Sequence, residues 1–81
     1  MTSHRFPSLK AKQLFAILQR EPLAYRVVRR KGSHRQVWSK RYPPLTFAFH
    51  DNQTIPPGLV RKILVKDVGL TAEEAAAILG L

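Results

Sequence analysis

Residues 23–49 have the sequence LAYRVVRRKGSHRQVWSKRYPPLTFAF, which contains three short runs rich in β-branched or aromatic side chains. The runs cover residues 23–30, 35–40 and 45–49, and they are separated by Lys31-Gly32-Ser33 and Tyr42-Pro43-Pro44. Clusters of glycine, serine and proline mark turns between strands. Because both connections are short, we predict an antiparallel meander of three strands.

An amphipathic helix is predicted before the sheet. Apolar residues recur at helical spacing from Ala11 to Leu18, with polar side chains around the rest of the circumference. We therefore predict a helix over about residues 8–20. It ends at Glu21-Pro22, because a proline disfavours helical geometry in the residue before it.

Two helices are predicted after the sheet. The first follows Pro56-Pro57, carries its apolar residues on one side and stops at Gly69. The second begins at Thr71-Ala72-Glu73-Glu74, a capping box, and runs to Leu79. The whole order predicts an α+β sandwich with the helices on one face of a three-stranded antiparallel sheet, built as one domain over residues 1–81.

The chain is strongly basic. It contains 14 lysine and arginine residues against 5 acidic ones, which gives a formal net charge of +9 on 81 residues. Seven of these cations lie between Arg26 and Arg41, where no acidic residue occurs, whereas the segment after Lys66 carries acids and no cation. This distribution favours a phosphate polyanion as partner. A generally solvated basic surface and attraction to anionic lipid are the alternatives, but no basic amphipathic helix supports the lipid version.

Several classes of protein are disfavoured by composition. Cysteine is absent, which removes disulfides and thiolate metal sites, and no segment reaches the length of a membrane span. The N-terminus has no apolar signal core. The acids are few and scattered, and the three histidines lack paired spacing, so Mg²⁺ and zinc sites are not expected. We expect a cytoplasmic protein without metal, cofactor or membrane partner.

The segment Arg29-Arg30-Lys31-Gly32-Ser33-His34-Arg35, called the basic turn below, surrounds a histidine with cations. Histidine titrates near neutral pH, so His34 is suited to take a proton from a ribose 2′-hydroxyl or give one to a leaving 5′-oxygen. Arg30, Lys31 and Arg35 are suited to stabilise charge on the phosphate, and the glycine lets the backbone approach it. We predict that the basic turn binds RNA and that His34 is catalytic. The alternative is an ordinary hairpin turn beside a surface histidine.

The chain has two further histidines. A hairpin closed at residues 41–44 would place His50 opposite Arg35, one position from His34, where it could act as the partner acid or base. A strand-end histidine without a chemical role is the alternative, since a slip of one residue sends the side chain to the other face. His4 lies near the terminus and is given no role.

Four aromatic residues are candidates for stacking on unpaired bases, as aromatics on sheet faces do in single-strand RNA readers. They are Trp38, Phe47, Tyr25 and Tyr42. Core packing is the preferred interpretation for Trp38 and Phe47.

The chain also resembles a known family, the HicA-type mRNA interferase toxins of bacterial toxin–antitoxin pairs. The resemblance spans nearly the whole chain and rests on Lys31-Gly32-Ser33-His34, on His50, and on Pro57-Gly58-Leu59-Val60 leading through Ile63-Leu64 to Val68-Gly69-Leu70. It implies a fold like a double-stranded RNA-binding domain, an α-β-β-β-α sandwich. It also implies that His34 is the catalytic residue of a metal-independent endoribonuclease that cleaves mRNA and is neutralised by a HicB-type antitoxin.

Two segments depart from the family pattern. Glu21-Pro22-Leu23 stands where family members usually carry a glycine and an aromatic, and Ala48-Phe49 stands where they tend to have a proline. Neither departure touches His34. Two other hypotheses stay open. One is a non-catalytic RNA-binding module of the same fold, in which the basic turn only positions the phosphate backbone. The other is a toxin-like subunit whose main task is to hold an antitoxin.

Overall fold

The computed structural model describes residues 5–81, so His4 lies outside the described residues. In chain order the elements are β1 (Leu9–Lys10), α1 (Ala11–Gln19), β2 (Arg26–Lys31), β3 (His34–Trp38), β4 (Leu45–Ala48), β5 (Thr54–Ile55), α2 (Pro57–Arg61) and α3 (Ala72–Ile78). Helix α2 continues without a break into a π-helical segment, Lys62–Asp67. The predicted meander is confirmed, because β2, β3 and β4 form one antiparallel sheet in that order.

The two faces of the sheet differ in burial. Along β3, Arg35 and Val37 are buried, whereas His34, Gln36 and Trp38 are exposed. The face that carries Val37 packs on the helices and is called the covered face; the face that carries His34 is called the open face. The described structure is thus the predicted α+β sandwich, with its helices on one side of a three-stranded antiparallel sheet.

The core fills the space between the covered face and the helices. Phe47 of β4 is almost completely buried, and its ring lies 5.2 Å from that of Phe15 and 5.1 Å from that of Phe49, centroid to centroid. The other large side chains with almost no exposed surface come from every layer: Leu14, Leu18, Leu23, Val37, Ile55, Val60, Leu64 and Val68. Burial of this apolar area is the main force that holds the layers together.

The beginning of α1 differs from the prediction. The periodicity predicts Leu9 and Lys10 within the helix, but they form β1 and pair antiparallel with Ile55 and Thr54 of β5. The helix then starts at Ala11, whose N–H donates to the carbonyl of Gln53 at 2.8 Å. The first amides of a helix have no partner within it, and here a loop distant in sequence supplies one. The sequence around Ala11 does not indicate this contact, because its partner lies far away in the chain.

The end of α1 also shortens the first predicted strand. That strand was expected from Leu23, yet β2 begins at Arg26. The amide of Tyr25 donates to the carbonyl of Leu18 at 2.9 Å, and Ala24 adopts a φ of +50°. The backbone of residues 24–25 is therefore engaged with the helix end and not with the sheet.

The predicted helix stop at Gly69 and the predicted capping box at Thr71 are both confirmed. Gly69, which ends the second helix, has a φ of +93°, a value that favours glycine. Thr71 Oγ1 accepts a hydrogen bond from the Glu74 amide at 3.0 Å, and Glu74 Oε1 accepts one from the Thr71 amide at 2.9 Å. These reciprocal bonds are the capping box that begins α3.

Candidate functional site

The basic turn is a tight hairpin. Gly32 and Ser33 are its two loop residues, and Lys31 pairs directly with His34 across it. Gly32 has a φ of +59°, whereas Ser33 keeps a negative φ, which is the pattern of a type II′ turn with glycine first. Directly paired residues have Cβ atoms about 4.5–5.5 Å apart, so the turn holds a cation beside the histidine.

A β-bulge at Val28 sets the orientation of β2. Val27 pairs with Val37 and Arg29 pairs with Gln36, so Val28 is an extra residue without a partner on β3. Side chains alternate between faces along a regular strand. The extra residue shifts this alternation by one position between Val27 and Arg29.

The bulge brings three cations of β2 to the open face. Paired residues lie on the same face, so Arg26 lies with Trp38, Arg29 with Gln36, and Lys31 with His34. Regular alternation would instead have sent Arg26 and Arg29 to opposite faces. A line of cations on β2 therefore runs beside the exposed residues of β3.

A shallow depression on the open face contains His34. Its volume is about 260 Å³, and its walls are Arg29, Lys31, His34, Gln36 and Thr46. All but Thr46 belong to the hairpin, and Thr46 of β4 pairs with Gln36. The arrangement puts an imidazole beside two cations of β2 on a solvent-accessible surface. A group that can transfer protons next to preorganised positive charge is compatible with chemistry on a phosphodiester.

Arg35 points away from this depression. It is only 7% exposed on the covered face, where its Nη2 donates to Asp51 Oδ1 at 2.7 Å. Its guanidinium carbon lies 4.6 Å from the ring centroid of Phe15, and among residues 5–81 its buried Nε has no hydrogen-bond partner. Arg30 pairs with Arg35 and lies on the same side, although it is exposed. Strict alternation from His34 would have indicated this orientation for Arg35.

The ion pair also changes the acid that takes part in it. The hydrogen bond from Arg35 holds the pKa of the Asp51 carboxyl below its ordinary value, and the positive charges of Arg35 and Arg30 act in the same direction. The Asp51 carboxylate is therefore stabilised in its charged form by its ion pair with Arg35. The local sequence around Asp51 does not indicate this partner, because Arg35 lies on β3, a separate segment of the chain.

His50 does not lie where the sequence predicted. Arg35 pairs with Phe47, not with His50, and β4 already ends at Ala48. The carbonyl of His50 accepts a hydrogen bond from the Gln53 amide at 2.9 Å, so the residue belongs to the turn after the strand. The predicted register was wrong because the last pair of the hairpin is Val37 with Leu45, so the connection covers residues 38–44 and is centred on Arg41, earlier in the chain than predicted. The role of His50 as a second acid or base stays a prediction.

The aromatic candidates separate into two groups. Phe47 packs in the core as predicted, and Tyr25 is buried with its hydroxyl donating to the Pro43 carbonyl at 2.6 Å. The prediction of core packing for Trp38 was wrong, because this side chain is 42% exposed on the open face. The guanidinium carbon of Arg26 lies 5.3 Å from the centroid of its ring.

Within the part of the chain that the structure describes, no three side chains of histidine, cysteine, aspartate or glutamate converge as a metal site. No helix in residues 5–81 combines the length and the apolar character that a membrane crossing needs.

The fold and this surface define a small basic α+β protein with a histidine at the turn end of a sheet face, beside a line of cations. The family model described as HicA toxin of bacterial toxin-antitoxin matches residues 11–70, a range that includes α1, the whole sheet and α2. The chain belongs to the HicA toxin family, and membership implies an antitoxin partner. No curated protein and no solved structure gives a significant match.

Proposed function

We propose that this chain is the toxin of its pair and acts as a metal-independent endoribonuclease that cleaves mRNA, with His34 as the catalytic residue. The observation that carries the proposal is the position of His34, exposed on the open face and paired with Lys31, in one depression with Arg29. Membership of the HicA family supports the toxin class. The active unit is proposed to be the single domain over residues 1–81.

The proposed reaction is attack of a ribose 2′-oxygen on the neighbouring phosphorus. A bond forms between phosphorus and the 2′-oxygen, and the bond to the 5′-oxygen breaks, which leaves a 2′,3′-cyclic phosphate and a 5′-hydroxyl. His34 accepts the proton of the 2′-hydroxyl, and a second donor, for which His50 is the candidate, protonates the leaving oxygen. Transfers of this kind contribute about 10²–10⁴ in rate each.

The phosphate is proposed to be held by the basic turn. Arg29 and Lys31 line the depression with His34, so their charges face the scissile phosphate, and the Gly32-Ser33 turn lets the backbone come close. Arg30 is exposed at the sheet edge, where it is suited to a phosphate further along the strand. Arg35 lies on the covered face, where its ion pair with Asp51 stabilises the fold beneath the site, so we assign it no contact with RNA.

The non-catalytic RNA-binding module is the second candidate. It is favoured by the length of the line of cations on β2, because the line continues from Lys31 and Arg29, which border the depression that holds His34, to Arg26 outside it. A surface of this kind binds phosphate through charge whether or not cleavage follows. The third hypothesis, a subunit that mainly holds an antitoxin, rests on the family alone.

A HicB-type antitoxin and cytoplasmic action complete the proposal. The family implies the antitoxin, and a net charge of +9 suits an acidic partner. Co-expression with the reading frame beside this gene, followed by purification of the tagged toxin, tests the pairing. We expect a stoichiometric complex without ribonuclease activity, and recovery of the toxin alone would contradict it.

The decisive experiment compares purified wild type and His34→Ala on an mRNA substrate in excess chelator. We expect cleavage by the wild type, fragments that end in cyclic phosphate, and at least a roughly hundredfold loss in the variant. Gln19→Ala is the control, because Gln19 is an exposed polar side chain at the end of α1 and does not line the depression. Cleavage by His34→Ala at the wild-type rate would overturn the assignment. Salt-sensitive RNA binding without any product from either protein would favour the binding module.

A further inference from the structure

We infer that Trp38 is a stacking platform for one unpaired base of single-stranded RNA, at a subsite separate from the depression that holds His34. The inference rests on the proposed function only in taking RNA as the ligand of the open face, and it requires no cleavage. It concerns a residue that the sequence favoured for the core.

The exposure of Trp38 is the first observation. A tryptophan that is 42% exposed on the central strand of a sheet leaves a large apolar ring in water, although the helices would have covered it on the other face. Val28, which the bulge leaves 59% exposed, lies beside it. An exposed apolar patch rimmed by polar residues marks a binding surface.

The shape of the surface around Trp38 is the second observation. Trp38, Val28 and Gln36 line a depression of about 350 Å³ together with Pro44, Leu45 and Thr46. Gln36 and Thr46 also line the depression that holds His34. The two depressions therefore adjoin, and one strand of RNA can occupy both.

The positive charge along the open face indicates RNA as the ligand of this depression. Arg26 lies against the indole ring, where the cation–π contact fixes the ring and brings positive charge beside it. Arg29 and Lys31 continue the line toward His34, and strands β2, β3 and β4 contain no acidic residue. A row of cations beside an exposed aromatic is the arrangement that follows a single-stranded backbone and stacks its bases.

The spacing indicates which base is stacked. Trp38 and His34 lie on the same face four positions apart on one strand, so about 13 Å separates them. The stacked base therefore belongs to a nucleotide that flanks the scissile phosphate and not to the one at His34. In a duplex the bases are already stacked on each other and cannot reach the ring. The subsite consequently selects unpaired RNA.

The chain offers a direct measurement, because Trp38 is its sole tryptophan. Folded protein carrying His34→Ala, which prevents cleavage during titration, is titrated with an unstructured RNA oligonucleotide and with a duplex of equal length. We expect saturable quenching of the tryptophan fluorescence by the single strand and little by the duplex. Oligonucleotides with one abasic position at a time should lose most of the quenching when a single flanking position lacks its base.

Substitutions test the same contact by affinity. Trp38→Ala should weaken binding of the single strand about tenfold, and Trp38→Phe should retain part of the affinity, since a base on an aromatic ring contributes energy of this order. Leu81→Ala is the control, because it removes a side chain of similar exposure, 57%, from the C-terminus. Circular dichroism establishes that each variant is folded.

The outcomes separate the two proposals. Equal quenching by duplex and single strand, or unchanged affinity in Trp38→Ala, would overturn the stacking subsite. Loss of antitoxin binding in Trp38→Ala with unchanged RNA binding would assign the surface to the protein partner and overturn it too. If single strands quench the fluorescence but the wild-type protein never cleaves RNA, the catalytic proposal is overturned and the stacking subsite is supported.

Discussion

The Arg35 guanidinium and the Asp51 carboxylate form an ion pair of 2.7 Å beneath the sheet face that carries His34. The pair joins β3 to the turn after His50, and the carbonyl of Asp51 also accepts the amide of Lys12 at 3.2 Å. Three segments distant in sequence are thereby tied together under the candidate site. Arg35, a cation that the sequence assigned to phosphate, stabilises the fold from the opposite side.

The first prediction concerns this ion pair. Asp51→Asn leaves a buried guanidinium without its counter-charge, so we expect a lower melting temperature at neutral pH. The pKa of the Asp51 carboxyl is lowered in the folded state. The stability that this carboxylate gives the fold is therefore present above its ordinary pKa of 3.8 and is lost as the pH falls through the lowered pKa. The difference between variant and wild type should therefore shrink in acid. Thermal unfolding followed by circular dichroism from neutral to strongly acidic pH measures it, and a difference that is constant over this range would contradict the prediction.

The second prediction compares two neighbouring arginines on opposite sides of the sheet. Arg29 faces the depression with His34, whereas Arg30 pairs with Arg35 on the other side. Arg29→Ala should weaken RNA binding more than Arg30→Ala and reduce the dependence of log affinity on log salt by roughly 0.7, the value for one lost single-strand phosphate contact. Fluorescence anisotropy across a salt series gives both quantities. Equal losses in the two variants would argue against face-selective binding.

The third prediction concerns Tyr25. Burial raises its pKa to about 12, and its hydroxyl donates to the carbonyl of Pro43. A raised pKa contributes stability that is fully present below the ordinary value of 10.0 and is lost as the pH rises through about 12. Wild type should lose stability in this alkaline range, and Tyr25→Phe should lose less of it. At neutral pH the substitution should lower the free energy of unfolding by about 1 kcal/mol, because the hydrogen bond to Pro43 is lost. Denaturant unfolding at neutral and alkaline pH tests both parts, and parallel curves for the two proteins would refute the alkaline one.

The fourth prediction compares two residues of β4 on opposite faces. Phe47 packs between Phe15 and Phe49 with almost no exposed surface, so Phe47→Ala should lower the free energy of unfolding by about 3–5 kcal/mol. Thr46 is exposed on the open face, and Thr46→Ala should change it by less than about 0.5 kcal/mol. Urea unfolding provides the comparison. Similar losses in both variants would mean that the open face is covered in solution.

The features that the sequence determined by itself are those that short segments specify. Glycine at the first loop position favours the type II′ turn, and the reciprocal bonds of Thr71 and Glu74 need only one helical turn. The clustering of cations around His34 follows directly from their order in the chain. The meander, the helix stops and the chemical character of the basic turn were therefore predictable.

Only the tertiary structure decided which face each residue occupies, because strand register depends on pairing between distant segments. The bulge at Val28 moved Arg26 to the face of Arg29, and the register of β3 sent Trp38 outward and Arg35 to Asp51. A change of one residue in register reverses every side chain of a strand. Local sequence therefore supplied the groups for the candidate site, and long-range packing decided which of them lie together on the open face.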